Sequence, residues 1–344
     1  MNLLTSDIAL SILVMATASA AAAPPNPNCL NATIVPGNTA TYNPAILNTA
    51  GDTPDICETM ESCEAGGVGT SNAVWYSYTP DPGRSGVIVI DTIGSNYDTV
   101  LSVFDGCASF NPITFQCTFP SQLACNDNLP LGGLASELTM AVVEGQTYII
   151  KVAQRGASGT GGLLDFNLRW IPPNDHCASA TVINTTAFGP PPIPTNNATT
   201  EPCEAPESCE VSNVGVSNTV WYEFTAPTDG RITIDTNGSN YDTVLSIFDG
   251  CGMFIAVDTP CDLPAELACD DDSGEGIRSM IVDFPVMGCH TYMIKVADYN
   301  TSAGGGMLDF NLVFSDSCPE DINKDGGVDV TDLLALLARW GVCQ

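Results

Sequence analysis

Ser71-Asn72-Ala73-Val74-Trp75-Tyr76 returns as Ser217-Asn218-Thr219-Val220-Trp221-Tyr222, and Gly94-Ser95-Asn96-Tyr97-Asp98-Thr99-Val100-Leu101-Ser102 recurs letter for letter from Gly238 to Ser246. Phe104-Asp105-Gly106-Cys107 is answered by Phe248-Asp249-Gly250-Cys251, and Leu123-Ala124-Cys125-Asn126-Asp127 by Leu267-Ala268-Cys269-Asp270-Asp271. Leu164-Asp165-Phe166-Asn167-Leu168 is answered by Leu308-Asp309-Phe310-Asn311-Leu312. Trp75 to Trp221 is a step of 146 residues and Tyr97 to Tyr241 a step of 144. The slip falls in the Pro/Gly-rich stretch 80–86, where a turn tolerates a change of length. A repeat this long is a duplicated domain and not a short-period solenoid.

Within each copy the patterning is that of strands. Tyr148, Ile150 and Val152 alternate with Lys151; Leu164, Phe166, Leu168 and Trp170 fall on one face, with Asp165, Asn167 and Arg169 on the other; Val74, Tyr76 and Tyr78 repeat the period of two. Gly and Pro turns separate these runs, and no amphipathic helix longer than a turn or two precedes Thr331. The sequence therefore predicts an all-β chain: two tandem antiparallel β-sandwich (jelly-roll-like) domains, then a small C-terminal calcium loop and helix. Residues 24–171 and 172–315 are the two sandwiches, divided at Ile171-Pro172-Pro173-Asn174-Asp175, and residues 316–344 are the tail.

Residues 1–23 read as a signal peptide. An apolar run from Ile8 to Ala16 leads into small residues up to Ala23, and Pro24-Pro25 ends the segment. That run is too short to span a bilayer, and no other is longer, so no membrane span is expected. Fifteen cysteines behind such a leader imply a disulfide framework and a secreted protein. Lys plus Arg number 9 against 40 Asp plus Glu, a formal charge of −31. Such a surface repels phosphate backbones, so nucleic acid is excluded as a partner, while divalent cations are attracted.

The sharpest chemical pattern is in the tail, Asp321-Ile322-Asn323-Lys324-Asp325-Gly326-Gly327-Val328-Asp329-Val330-Thr331-Asp332. Calcium takes six to eight oxygens. Asp321, Asn323 and Asp325 stand at loop positions 1, 3 and 5, with Gly326 allowing the sharp turn. Gly327 offers its carbonyl at position 7, Asp329 acts through water at 9, and Asp332 closes the loop at 12, where Glu is usual. Leu333, Leu334, Leu336, Leu337 and Trp340 mark an apolar exit helix; Cys318-Pro319 rules out a long entering one. This loop and helix resembles a single dockerin-type EF-hand repeat. Val-Trp-Tyr, Asp-Thr-Val-Leu-Ser-x-Phe-Asp-Gly-Cys, Leu-Ala-Cys-Asn/Asp-Asp and Tyr-x-Ile-Lys-Val together resemble the bacterial pre-peptidase C-terminal (PPC) domain. That resemblance covers nearly all of both copies and implies a non-catalytic sandwich with adhesive, substrate-binding or secretory roles.

A second calcium site is open at Asp270-Asp271-Asp272, echoed by Asn126-Asp127-Asn128, with Asp242 or Asp249 as further donors and Asn174-Asp175 as another source of oxygens. The competing reading is a solvated turn held by Asx hydrogen bonds. Six cysteines recur per copy: Cys29, Cys57, Cys63, Cys107, Cys117 and Cys125, matched by Cys177, Cys203, Cys209, Cys251, Cys261 and Cys269. Six cysteines allow fifteen connectivities and the sequence does not choose among them; Cys107 with Cys125 and Cys251 with Cys269 are the preferred pairs, Cys318 and Cys343 would staple the tail or pair elsewhere, and Cys289 is left over, as a buried, inert thiol in preference to an intermolecular bridge. Trp75 and Trp221 read as packing, not as sugar platforms.

Only His176 and His290 are present, neither is repeated, and no nucleophile elbow, zinc-protease motif or phosphate loop occurs. The chain therefore reads as no enzyme. The first functional reading is a secreted, calcium-binding structural or adhesive protein that contacts other copies of itself or cell-surface proteins. The alternative is a carbohydrate-binding accessory protein docked into an extracellular polysaccharide-degrading assembly through its dockerin-like tail.

Overall fold

A computed structural model describes residues 24–51, 57–58, 61–64, 68–129, 132–201, 204, 207–209, 215–252, 263–301, 304–317 and 328–339. The fold is all-β. The expected leader, the loop ligands Asp321, Asn323, Asp325 and Gly327, and Cys203, Cys261, Cys318, Cys343 and Trp340 lie outside the described residues.

Among the described residues, strands between Thr33 and Ile171 pair with one another, and so do strands between Thr181 and Asp316. In the first set a five-stranded sheet runs in the order Thr33–Val35, Thr70–Tyr78, Tyr148–Arg155, Thr99–Phe104, Gln122–Asn126. Its first pair is parallel and the rest antiparallel. Facing it is a four-stranded sheet, Glu137–Val142, Gly86–Asp91, Asn167–Ile171, Thr41–Tyr42. The second set repeats this plan. Thr181–Ile183, Val216–Thr225, Thr291–Tyr299, Thr243–Phe248 and Glu266–Asp270 form the larger sheet; Ala187–Phe188, Asn311–Asp316, Gly230–Asp235 and Met280–Val286 form the smaller.

The period-two residues meet between the sheets. Val74, Tyr76, Tyr78, Ile150, Val152, Leu164, Phe166, Leu168 and Trp170 share one buried cluster, and its counterpart is built on Val220, Tyr222, Ile294, Val296, Leu308, Phe310 and Leu312. Tyr76 stacks on Phe166 with ring centroids 3.9 Å apart, and Tyr222 on Phe310 at 3.8 Å. A fully buried aromatic or aliphatic side chain contributes about 1.5–3 kcal/mol, so these clusters carry the stability of each unit.

The larger sheets are covered on their outer faces as well. Trp75, Phe104 and Ile149 pack there with Cys29, and Trp221, Phe248 and Met293 with Cys177. Disulfides clamp this outer layer: Cys29–Cys107, Cys57–Cys117 and Cys63–Cys125 in the first unit, Cys177–Cys251 and Cys209–Cys269 in the second. The expected pairs Cys107–Cys125 and Cys251–Cys269 are therefore wrong. The N-terminal turn of each unit lies over the strand end that carries Cys107 or Cys251, a neighbourhood set by topology and not by spacing. Trp75 and Trp221, 3% and 1% exposed, are packing residues.

Cys289 is a free thiol and is exposed, not buried. It occupies the tight turn between Met280–Val286 and Thr291–Tyr299 with φ +61°, where the first unit has Gly145 at φ +74°. Asn197 joins the two units: its Nδ2 donates to the carbonyls of Ala40 (2.6 Å) and Trp170 (3.0 Å), and Thr41 Oγ1 donates to its Oδ1 (3.2 Å). No helix among the described residues is long and apolar enough to cross a membrane.

Candidate metal centre at the rim of the second sandwich

Asp242 immediately precedes strand Thr243–Phe248, and Asp271 and Asp272 follow strand Glu266–Asp270. These strands are antiparallel neighbours, with Leu245 opposite Asp270, so the start of one and the end of the other share a sheet rim. The central strand brings Asp298 to the same rim, opposite Thr243. Buried hydroxyls hold the place: Thr236 Oγ1 and Thr243 Oγ1 lie 2.6 Å apart, and the Ser279 amide donates to both at 3.0 Å. Ser279 Oγ donates to the Asp271 carbonyl at 3.0 Å. The turn leading to Asp242 needs Gly238, whose φ is +93° and whose added Cβ would stand 2.5 Å from Asp309 Oδ2.

Among the described residues, Asp242, Asp271 and Asp272 form the group of acidic side chains whose ligand atoms all lie within 4.8 Å of one another. Oδ1 of Asp242 is shielded from solvent and has no hydrogen-bond partner. Burial, then the Asp272 charge, raises the Asp242 pKa, with Arg278 opposing. Asp298 is 3% exposed, and its pKa is pushed up to about 6 by burial, aided by Asp242 and opposed by the Gly305 amide, which donates to Oδ2 at 2.8 Å. Hard carboxylate oxygens converging on one point, with an orphaned oxygen among them, fit a hard divalent cation such as calcium.

The other predicted donors go elsewhere. Asp270 Oδ2 accepts from the amides of Met280 (2.7 Å) and Ser273 (3.0 Å), so it pins the turn to the next strand. Asp249 pairs with His290 Nε2 at 2.8 Å. Asn174 Nδ2 donates to the Trp221 carbonyl (3.0 Å), and Asp175 accepts from the Thr199 amide and hydroxyl. In the tail, Asp329 Oδ1 accepts from the Thr331 amide (2.7 Å), while Asp332 Oδ2 accepts from the Asp329 amide (2.8 Å). Asp329 thus caps the start of helix Val330–Arg339 through its second amide, and Asp332 reaches back to the amide of the cap. The Thr331 side chain and amide together hold the Asp329 carboxyl below its usual range.

The first unit supplies the internal comparison. Its rim carries Asp98, Asp127, Asn128 and Gln154 where the second has Asp242, Asp271, Asp272 and Asp298. There Arg155 is the cation: its Nε lies 3.3 Å from Asp127 Oδ2 and its NH1 group 3.8 Å from Asp98 Oδ2. The aligned residue of the second unit is Tyr299. The backbone frame is unchanged, since the Arg155 amide donates to the Asp98 carbonyl (2.9 Å) and the Tyr299 amide to that of Asp242 (3.0 Å). Sequence reasoning missed Asp298 and the exchange of arginine for tyrosine. Aligning the two copies through positions 154–155 and 298–299 carries that signal.

Residues 173–311 match the model of a T9SS-associated family described as galactose binding domain-like. No curated protein matches the chain. Among solved structures, the N-terminal CBM22-1-CBM22-2 tandem domain of Paenibacillus barcinonensis Xyn10C aligns at 9% identity over 80% of this chain and 94% of that one, with a TM-score of 0.22. A putative secreted protein from Eubacterium rectale aligns at 10% over 70% and 68%, TM-score 0.19. Tripeptidyl peptidase 2 aligns at 11% over 82% of this chain, which spans 24% of that peptidase, TM-score 0.22. Superpositions this loose carry no argument about this chain.

Proposed function

We propose that this chain is a secreted, non-catalytic binding protein whose second sandwich takes a carbohydrate, with calcium held at the rim by Asp242, Asp271 and Asp272. The observation that carries the reading is the galactose binding domain-like match over residues 173–311, the segment that contains those three carboxylates. Bound calcium would neutralise a rim that otherwise gathers four carboxylates, Asp242, Asp271, Asp272 and Asp298, and so would stiffen the loops that frame a ligand. Five disulfides among the described residues support an oxidising, extracellular setting. The tail loop from Asp321 to Asp332 is the second calcium site of this reading, and metal binding there would draw Asp329 and Asp332 out of their capping bonds.

A second reading, adhesion by protein contact through the dockerin-like tail, is favoured by the exit helix. Leu333, Leu334 and Leu337 are 54%, 59% and 53% exposed on it. A glycan array probed in millimolar calcium and in chelator separates the two. Calcium-dependent binding to a defined glycan class supports the carbohydrate reading, and a blank array in both buffers rejects it. Isothermal titration with calcium on wild type and Asp271→Asn tests the rim, with one fewer site expected in the variant.

A further inference from the structure

Both units contain Cys-Glu-x-x-Glu-Ser-Cys: Cys57-Glu58-Thr59-Met60-Glu61-Ser62-Cys63 and Cys203-Glu204-Ala205-Pro206-Glu207-Ser208-Cys209. In each, the glutamates reach one lysine in the middle of the larger sheet. Lys151 Nζ lies 2.7 Å from Glu61 Oε1 and 2.8 Å from Glu58 Oε1; the lysine side chain is 0% exposed and the carboxylates 2% and 13%. Lys295 Nζ lies 2.6 Å from Glu207 Oε1 and 3.5 Å from Glu204 Oε2, with all three side chains 4% exposed or less. Trp75 presents its ring face 5.5 Å from Lys151 Nζ, and Trp221 does the same at 5.5 Å from Lys295 Nζ.

An ordinary buried ion pair needs one carboxylate per lysine. Here there are two, so full ionisation leaves an excess negative charge away from water, and burial raises the Glu207 pKa despite the neighbouring ammonium. The cluster thus holds an amine, a carboxyl in contact with it, and a second carboxyl to carry a proton. Disulfides at Cys57 and Cys63 fix the glutamate loop over the lysine in the first unit, and Cys209 does so in the second. Groups held at contact distance react as if at effective concentrations of up to about 10⁵–10⁸ M.

We propose that Lys151 and Glu61, and likewise Lys295 and Glu207, condense after folding into intramolecular amide bonds. The ammonium gives one proton to the buried carboxyl pair, and the neutral Nζ adds to Cδ of Glu61. Glu58 takes the second proton from nitrogen and delivers it to the departing oxygen. The Nζ–Cδ bond forms, a Cδ–O bond breaks, and one water leaves. One ammonium and one carboxylate become one amide, so charge and atoms balance with no oxidant or co-reactant. Thr70 Oγ1, donating at 2.9 Å to Glu61 Oε2, steadies the oxygen that stays. In the second unit Thr219 Oγ1 (2.6 Å) and the Glu201 amide (2.9 Å) hold Glu204 as the relay. The product removes two desolvated ions from each sheet face and ties the clamped loop to the central strand.

The test is peptide mapping and intact mass of the secreted full chain after complete disulfide reduction and alkylation. Each amide expels one water, so the mass is expected about 18 Da below that of the sequence from its measured N-terminus for each bond formed. Digestion is expected to yield Lys151 joined to the 57–63 peptide and Lys295 to the 203–209 peptide. Lys151→Arg with Lys295→Arg keeps both cations but cannot form this amide, and its mass should match its sequence. Glu58→Gln with Glu204→Gln keeps the acceptors and should slow the mass loss at least tenfold after refolding. Full sequence mass in the wild type, with both lysines recovered in unlinked peptides, overturns the proposal and leaves two buried ion clusters.

Discussion

Replacing Tyr299 by arginine would rebuild in the second unit the occupant that the first unit carries. The central strands have the same register, and the amide of residue 155 or 299 makes the same bond to the carbonyl of Asp98 or Asp242. The new guanidinium should therefore reach Asp242 and Asp271 as Arg155 reaches Asp98 and Asp127, at 3.8 and 3.3 Å. A calcium ion on the same carboxylates would then sit about 4 Å from a unit positive charge, which at an effective dielectric constant of about 50 costs about 3 kcal/mol. That corresponds to about a hundredfold weaker Kd. Isothermal titration on a chain whose tail loop is disabled by Asp321→Ala isolates the rim and reads this directly. The reverse change, Arg155→Tyr with Asn128→Asp and Gln154→Asp, should let the first unit bind calcium at its own rim. Tyr299→Arg binding calcium as tightly as wild type would refute the assignment of calcium to Asp242 and Asp271.

Three other outcomes follow from the geometry. Asp298, held at about 6 in the folded chain against about 3.9 unfolded, binds more protons when folded, so its contribution to stability is present below about pH 4 and is lost as pH rises through 6. The shift alone is worth roughly 3 kcal/mol and, after solvent screening at the rim, about 1–2; in chelator Asp298→Asn should flatten this slope in denaturant titrations, and an unchanged slope refutes the assignment. Lys295→Met strips the cation from Glu204 and Glu207 and should destabilise the second unit by about 3–5 kcal/mol, visible as a lower denaturation midpoint; a change below about 1 kcal/mol would show that the carboxylates are not held against water as described. Cys289 should be labelled by a maleimide in the native state, and Cys289→Gly should abolish labelling while stabilising the chain by about 1 kcal/mol through relief of its positive φ; persistent labelling of the variant would place the accessible thiol elsewhere.

Local alternation made the inner core readable. Tyr148, Ile150 and Val152 point one way in any strand, and they fill the space between the sheets. The same rule says nothing about what covers the opposite side, so Lys151 counts in sequence as the polar half of the pattern yet is fully buried. Its roof is brought from some 90 residues upstream by the Cys57–Cys63 loop, a long-range closure without a local signature. Cysteine pairing escaped for the same reason. The rim was half legible: the acidic run at 270–272 and Asp242 stood out as oxygen donors, but Asp270 turned out to be a strand pin. Asp298 lay hidden in an apolar strand whose neighbours mark it as core.

Each larger sheet is roofed, so neither can serve as a landing surface for a flat ligand. Among the described residues of the second unit, the back of the smaller sheet is bare: Arg231 and Val313 stand exposed between buried neighbours, and Val282 and Asp283 are exposed side by side. One edge of that bare face is strand Met280–Val286, whose first amide is gripped by Asp270. The Asp270–Met280 bond thus ties the edge strand of this bare face directly to the acidic loop at 270–272. In the first unit Arg155 lies against the corresponding acidic loop, whereas in the second Arg278 donates to the Ser239 carbonyl and its charge opposes the raised pKa of Asp242.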